Sequence, residues 1–173
     1  MKTRNSILVA TDFSPASEAA VREGIRIADA LGARLTLFHC YLEPAGAFAV
    51  ESVERYETLM RAVRSDAVKK LEELSSGAVA RRIPVEFRLA MGRPDREIVR
   101  AAFREGTRLI VLGTHGQGGR RALVGSVARR VVAGTGRPVL TVPPNWRAVE
   151  DREPLARART RELSGAGNAG GAP

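Results

Sequence analysis

Leu109-Ile110-Val111-Leu112-Gly113-Thr114-His115-Gly116 runs from four consecutive apolar residues straight into a glycine-rich turn. A short unbroken apolar run suits a strand covered on both faces, as strands are inside a parallel sheet. The glycines continue through Gly118 and Gly119, and Gly125-Ser126 then opens a helix expected over Val127 to Ala133. Glycine lets the backbone approach a ligand without Cβ contact, so successive N–H groups can face an anion. The first N–H groups of a helix lack partners, and its dipole favours negative charge. Strand, glycine turn and helix start in succession therefore read as a phosphate cradle.

Outward from this stretch the chain alternates strand and helix. Ile7-Leu8-Val9-Ala10 is a second doubly buried strand, ending in Thr11-Asp12-Phe13. Ser14 is placed to cap a helix with Pro15 at its first position, and Gly32 to stop it. Leu35 to Cys40 reads as a strand, residues 41 to 52 as a loop, and the apolar spacing from Tyr56 as a long helix. The end of that helix is open between Ser75-Ser76-Gly77 and Ala80. Val85 to Leu89 alternates in a way that suits a sheet edge, and a helix whose apolar face is Ile98, Val99, Ala102 and Phe103 follows Pro94 and ends at Gly106. Val139-Leu140-Thr141-Val142 is the last strand.

Five strands separated by four helices predict an α/β fold: a three-layer, doubly wound, parallel five-stranded sheet of Rossmann-like type, with strand order 3-2-1-4-5. Ligands bind such sheets where the winding reverses, here between strands 1 and 4. The loops Thr11-Asp12-Phe13 and Gly113-Thr114-His115-Gly116 are thus expected to line one crevice. Residues 1–144 are expected to form the domain, and residues 145–173, which lack a periodic apolar face, a disordered tail.

Composition narrows the classes. The 173 residues, 44% hydrophobic and 27% charged, suit one domain with one core. No run approaches the ~18 apolar residues of a membrane span, and the first apolar run is too short for a signal-peptide core, so a soluble cytoplasmic protein is expected. Cys40 is the single cysteine, and His39 and His115 are the two histidines, so neither a disulfide nor a metal site is expected. The net charge of +9 raises the question of nucleic acid, but only 5% of the residues are aromatic, too few for a base-stacking platform. Between Gly113 and Arg137 stand Arg120, Arg121, Arg129, Arg130 and Arg137 with no acidic residue, a local field that favours polyphosphate. Arg129 and Arg130 read as outward-facing, solubilising charges. No Gly-x4-Gly-Lys-Ser/Thr occurs, and Arg121 stands where the dinucleotide fingerprint needs its third glycine, which excludes both motifs.

Five segments together resemble the universal stress protein family across residues 7 to 142. They are Ile7 through Pro15, Gly92-Arg93-Pro94-Asp95-Arg96-Glu97-Ile98-Val99, Leu109 through Gly116, Gly125-Ser126-Val127-Ala128, and Pro138 through Val142. Gly113, Gly116, Gly125 and Ser126 are similar to the Gly-x2-Gly-x9-Gly-Ser/Thr pattern of the family's ATP-binding branch. One departure stands: eight residues, Gln117 to Val124, occupy the span of nine.

The resemblance implies an ATP site, with Mg2+ able to accompany the nucleotide. Ala10 and Thr11 would lie near the base, Cys40 and Leu112 beside the adenine, Asp12 at the ribose or metal-phosphate region and His115 near the phosphates. Val127 completes the expected contacts. It further implies a regulatory or stress-resistance role rather than turnover, and a homodimer paired through the edge strand 139–142. Residue by residue, simpler readings stand beside these: Asp12 as only a cap-like residue for the first helix, His115 as structural, Gly92-Arg93-Pro94 as a plain turn rather than a ligand contact, and Ser126 as an N-cap or phosphate donor. An Asp12–His115–Ser126 triad is set aside, because no spacing forces the histidine between the other two. The functional alternatives are a nucleotide-free protein-interaction module of the same fold and a slow nucleotide hydrolase.

Overall fold

The structure is a computed structural model and describes residues 5–43, 52–116 and 124–147. Five strands and four helices alternate: β1 (Ser6–Thr11), α1 (Pro15–Leu31), β2 (Arg34–Tyr41), α2 (Val53–Ala80), β3 (Val85–Met91), α3 (Pro94–Arg104), β4 (Leu109–Gly113), α4 (Ser126–Gly134) and β5 (Val139–Val142). All strand pairs are parallel, and the order is β3-β2-β1-β4-β5. The three-layer, doubly wound sheet expected from the alternation is the observed fold.

Strand parity divides the core between two faces. Phe87, Leu37, Val9, Val111 and Leu140 stand opposite one another across the five strands. This row faces the cluster that α1 and α2 complete with Ala20, Ile25 and Leu71. One residue further along, Phe38, Ala10 and Leu112 face the other way, toward Ile98 of α3 and Ala128 of α4. The continuous apolar runs of β1 and β4 follow from this, since every second residue faces a different helical layer.

Local chemistry sets the ends of the elements. Ser14 and Ser17 form a reciprocal capping box at the start of α1, and Gly32 closes the helix with φ 56° in the left-handed region. Ser52 caps α2 by accepting from the Arg55 N–H, so this helix begins ahead of the first apolar marker, Tyr56. It passes through Ser75-Ser76-Gly77 because the Ser75 hydroxyl donates to the Glu72 carbonyl of its own helix at 2.8 Å, and Ala78 beyond is fully buried. After β5, Trp146 packs against the α1/α2 core, and its indole Nε1–H donates to Glu23 Oε2 at 3.1 Å. Residues 148–173, most of the expected tail, lie outside the described residues.

Candidate functional site

β1 delivers its last residue, Thr11, into a tight turn that the first turn of α1 organises. The Phe13 N–H donates to Thr11 Oγ1 at 3.0 Å, and Thr11 Oγ1 lies 3.0 Å from Ser17 Oγ. Phe13 sits at φ 61°, a left-handed conformation that costs a non-glycine residue on the order of 1 kcal/mol and persists only where surroundings hold it. Asp12 Oδ1 accepts from the Ser14 N–H at 3.1 Å and from the Ser14 hydroxyl at 2.6 Å. Asp12 is therefore not itself the cap of α1 but the brace of Ser14, which is. Its second oxygen remains directed across the crevice.

β4 delivers Gly113 and the turn that follows. A Cβ on Gly113 would lie 2.8 Å from the carbonyl carbon of Ala16 and from the nitrogen of Ser17. The glycine is there because α1 crosses the end of β4 backbone to backbone. A Cβ on Gly116 would fall on Asp12 Oδ2, so the two loops meet at this carboxylate. The Ser14 hydroxyl also reaches the His115 carbonyl at 3.5 Å, and His115 Nδ1 lies 3.0 Å from Thr114 Oγ1.

The chain then returns to the same place. The Gly125 N–H donates to the Thr114 carbonyl at 2.6 Å, which clamps the base of the connection between β4 and α4. Residues 117–123, seven of the eight residues between Gly116 and Gly125, lie outside the described residues. Gly125, not Ser126, is the N-cap of α4, and no side chain caps that helix. Ser126 occupies its first helical position. The N–H groups of Ser126, Val127 and Ala128 are those that a helix leaves without intrahelical acceptors, and these three residues line the crevice.

A cavity of about 580 Å³ results, inside the range of small-molecule sites. All eleven residues expected at the site line it: Ala10, Thr11, Asp12, Cys40, Leu112, Gly113, His115, Gly116, Gly125, Ser126 and Val127. The cavity is chemically graded. Ala10, Phe38, Cys40, Ile98 and Leu112 make an apolar end, whereas Asp12, His115 and the start of α4 make a polar one. Among the described residues, Asp12 is the only carboxylate in the lining and Arg129 the only guanidinium.

Phe38, Pro94, Ile98 and Arg129 also belong to the lining, although none of them was among the eleven expected site residues. Phe38 was accessible to parity, since it stands opposite Ala10 in the predicted sheet. Arg129 is exposed, as expected of a solubilising charge, and also borders the cavity, whereas Arg130 does not. Gly92 makes a turn at φ 138°, its N–H donating to the Tyr41 carbonyl at 3.1 Å, and Pro94 beyond it reaches the cavity wall. Burial pushes the Cys40 thiol up to about 11, with the carboxylates of Glu97 and Asp95 adding to the effect. Its Sγ donates to the Gly92 carbonyl at 3.3 Å, so Cys40 is a wall residue rather than a nucleophile. Among the described residues no group of three or more His, Cys, Asp or Glu side chains could hold a metal ion, and no helix is long and apolar enough to cross a membrane.

Comparison with known proteins agrees with this geometry. The universal stress protein family model matches residues 3–143. Universal stress protein MJ0531 of Methanocaldococcus jannaschii is 32% identical over 139 residues, covering 79% of this chain and 80% of that protein. A universal stress protein of Thermus aquaticus is 35% identical over 138 residues, covering 79% and 97%. Among solved structures, protein MJ0577 superposes with a TM-score of 0.69 at 27% identity, covering 84% of this chain and 99% of its own. A universal stress protein in complex with cAMP superposes with a TM-score of 0.61 at 26% identity, covering 82% and 98%. With its sheet order, its paired loops and a family match over nearly all of the described residues, the chain belongs to the universal stress protein family.

Proposed function

We propose that the protein binds an adenine nucleotide, ATP foremost, in the cavity between the β1 and β4 loops, and acts by binding rather than by turnover. The observation that carries this reading is the grading of that cavity. An apolar end of Ala10, Phe38, Ile98 and Leu112 suits a flat base, and the uncapped start of α4 suits phosphate oxygens. Cys40 would complete the wall of the base pocket, and Thr11 and Gly113 the floor between the two ends. His115 and Arg129 would border the phosphates. Asp12 would meet the ribose or a phosphate-bound Mg2+, whose remaining ligands would come from phosphate and water, because the described residues of the lining include no second carboxylate. A relative of the same fold holds cAMP, which supports an adenine nucleotide as the ligand class.

Binding without turnover is supported by the occupation of Asp12. One of its oxygens already accepts two hydrogen bonds from Ser14, and the described residues of the lining include no lysine. In this reading the nucleotide biases the protein's conformation or its choice of partner in a regulatory or stress-resistance role. The assembly expected with it is a homodimer paired through β5, which stands at the sheet edge. Isothermal titration with ATP, ADP and AMP in the presence of Mg2+ tests the site. Saturable binding at about 100 μM or tighter, weakened at least tenfold by Asp12→Ala, is the expected result. No heat with any of the three up to about 1 mM would dismiss the reading in favour of a nucleotide-free interaction module.

A further inference from the structure

A second concavity, of about 820 Å³, lies on the outer side of the α3/α4 layer. Its α3 wall is formed by Asp95, Val99 and Phe103 in one row at four-residue spacing, with Arg96, Arg100 and Arg104 in the row beside it. Arg130 of α4 and Arg137 of the turn before β5 close the other wall. The two helices approach closely at the floor, where a Cβ on Gly134 would lie 3.8 Å from Val99 Cγ2. Phe103 is 79% exposed, the most exposed of the large apolar side chains among the described residues.

The charge of this groove is only partly compensated. Arg100 is paired with Glu97 at 2.8 Å, and the one carboxylate of the lining, Asp95, is held by Arg93 at 3.0 Å. Arg96, Arg104 and Arg137 have no side-chain hydrogen bond or ion pair among the described residues, and Arg130 forms none either but helps Arg93 hold the Asp95 carboxyl below its ordinary range. Three guanidinium groups without a partner among the described residues, and a fourth only loosely engaged by Asp95, surround an exposed phenylalanine and ask for carboxylates on the rim and an apolar side chain in the centre. Guanidinium groups pair with carboxylates through two parallel hydrogen bonds, and an aromatic anchor supplies the buried contact that makes such a site selective. Polyanions satisfy only half of this pattern, because a nucleic-acid strand needs successive aromatic platforms and the groove has one ring.

We propose that the α3/α4 groove docks an acidic segment of a partner protein, with carboxylates on Arg96, Arg104, Arg130 and Arg137 and an apolar side chain against Phe103 and Val99. The site is separate from the nucleotide cavity: none of these six residues lines that cavity. The regulatory role proposed above needs a surface that another protein can read, and this groove is that surface. The inference stands whether or not the nucleotide reading does.

Fluorescence anisotropy on the full chain tests it with three probes: a labelled helical peptide of Glu, Ala and Leu, polyglutamate, and single-stranded oligothymidylate. The peptide is expected to bind in the micromolar range, with affinity falling about tenfold in Phe103→Ala and by more in Arg104→Glu/Arg130→Glu. Polyglutamate is expected to bind more weakly and to be indifferent to Phe103→Ala. ATP titrations of both variants should match the wild-type protein, and their melting temperatures should confirm folding, since each altered side chain is exposed. Three results would each overturn the proposal: no peptide binding at about 1 mM, peptide binding unchanged by both variants, or a preference for oligothymidylate over the peptide.

Discussion

Gly113 and Gly116 close the same turn, yet they are glycines for different reasons. At Gly113 a methyl group would enter the backbone of α1 at Ala16 and Ser17, and that backbone is fixed by the Ser14–Ser17 capping box. Gly113→Ala is therefore expected to destabilise the fold by about 3 kcal/mol, read as a lower midpoint in urea denaturation. At Gly116 the obstacle is the end of the Asp12 side chain, which can turn aside. Gly116→Ala should keep stability within about 1 kcal/mol of the parent, while nucleotide affinity falls about tenfold as the carboxylate leaves its place between the loops. Asp12→Asn separates the two duties of this residue. It keeps an oxygen for the Ser14 donors but removes the charge, so the melting temperature should hold while binding with Mg2+ weakens.

At the scale of elements, α1 carries a buried carboxylate outside the cavity. Glu23 is 6% exposed and bonded through both oxygens to Arg26, at 2.7 and 3.0 Å, with the Trp146 indole as a further donor. The Arg26 hydrogen bond holds the Glu23 carboxyl below its ordinary value of 4.5, against the opposing pull of burial, and Trp146 assists. A lowered folded-state value means that the ionised form contributes stability at neutral pH. That contribution is lost as the pH falls below 4.5 toward the depressed value. Glu23→Gln should accordingly flatten the acid limb of a stability-against-pH curve, and Trp146→Phe should cost about 1–2 kcal/mol at neutral pH by chemical denaturation. This latch also marks where sequence reading stopped. The buried strands were legible because both of their faces are covered, which leaves an unbroken apolar run. Ser14, Pro15 and Gly32 were legible because capping chemistry is local. Trp146 was not, because a single long-range anchor 123 residues from its partner has no period to detect. The far end of α2 was left open for a related reason: whether Ser75 competes with the helix depends on where its hydroxyl turns, and burial of Ala78 settles that.

For the whole molecule, the strand order placed the two ligand loops side by side, so most of the cavity could be read from topology and two short motifs. Residues such as Ile98 and Pro94 could not, because they enter it from α3, whose approach is set by packing rather than by any motif. The sheet edge makes a further prediction. The carbonyls of Pro138 and Val142 accept from β4, so by alternation the N–H groups of Val139 and Thr141 point outward. If β5 pairs two copies, light scattering should give twice the chain mass, and Thr141→Pro, which removes one outward donor, should give a folded monomer. Central to the account is the nucleotide cavity, and a crystal of the protein grown with ATP and Mg2+ examines it directly. The account predicts density for the base against Ala10, Phe38 and Leu112, and for phosphates at the start of α4. Density elsewhere on the molecule, or an empty cavity at millimolar ATP, would contradict it.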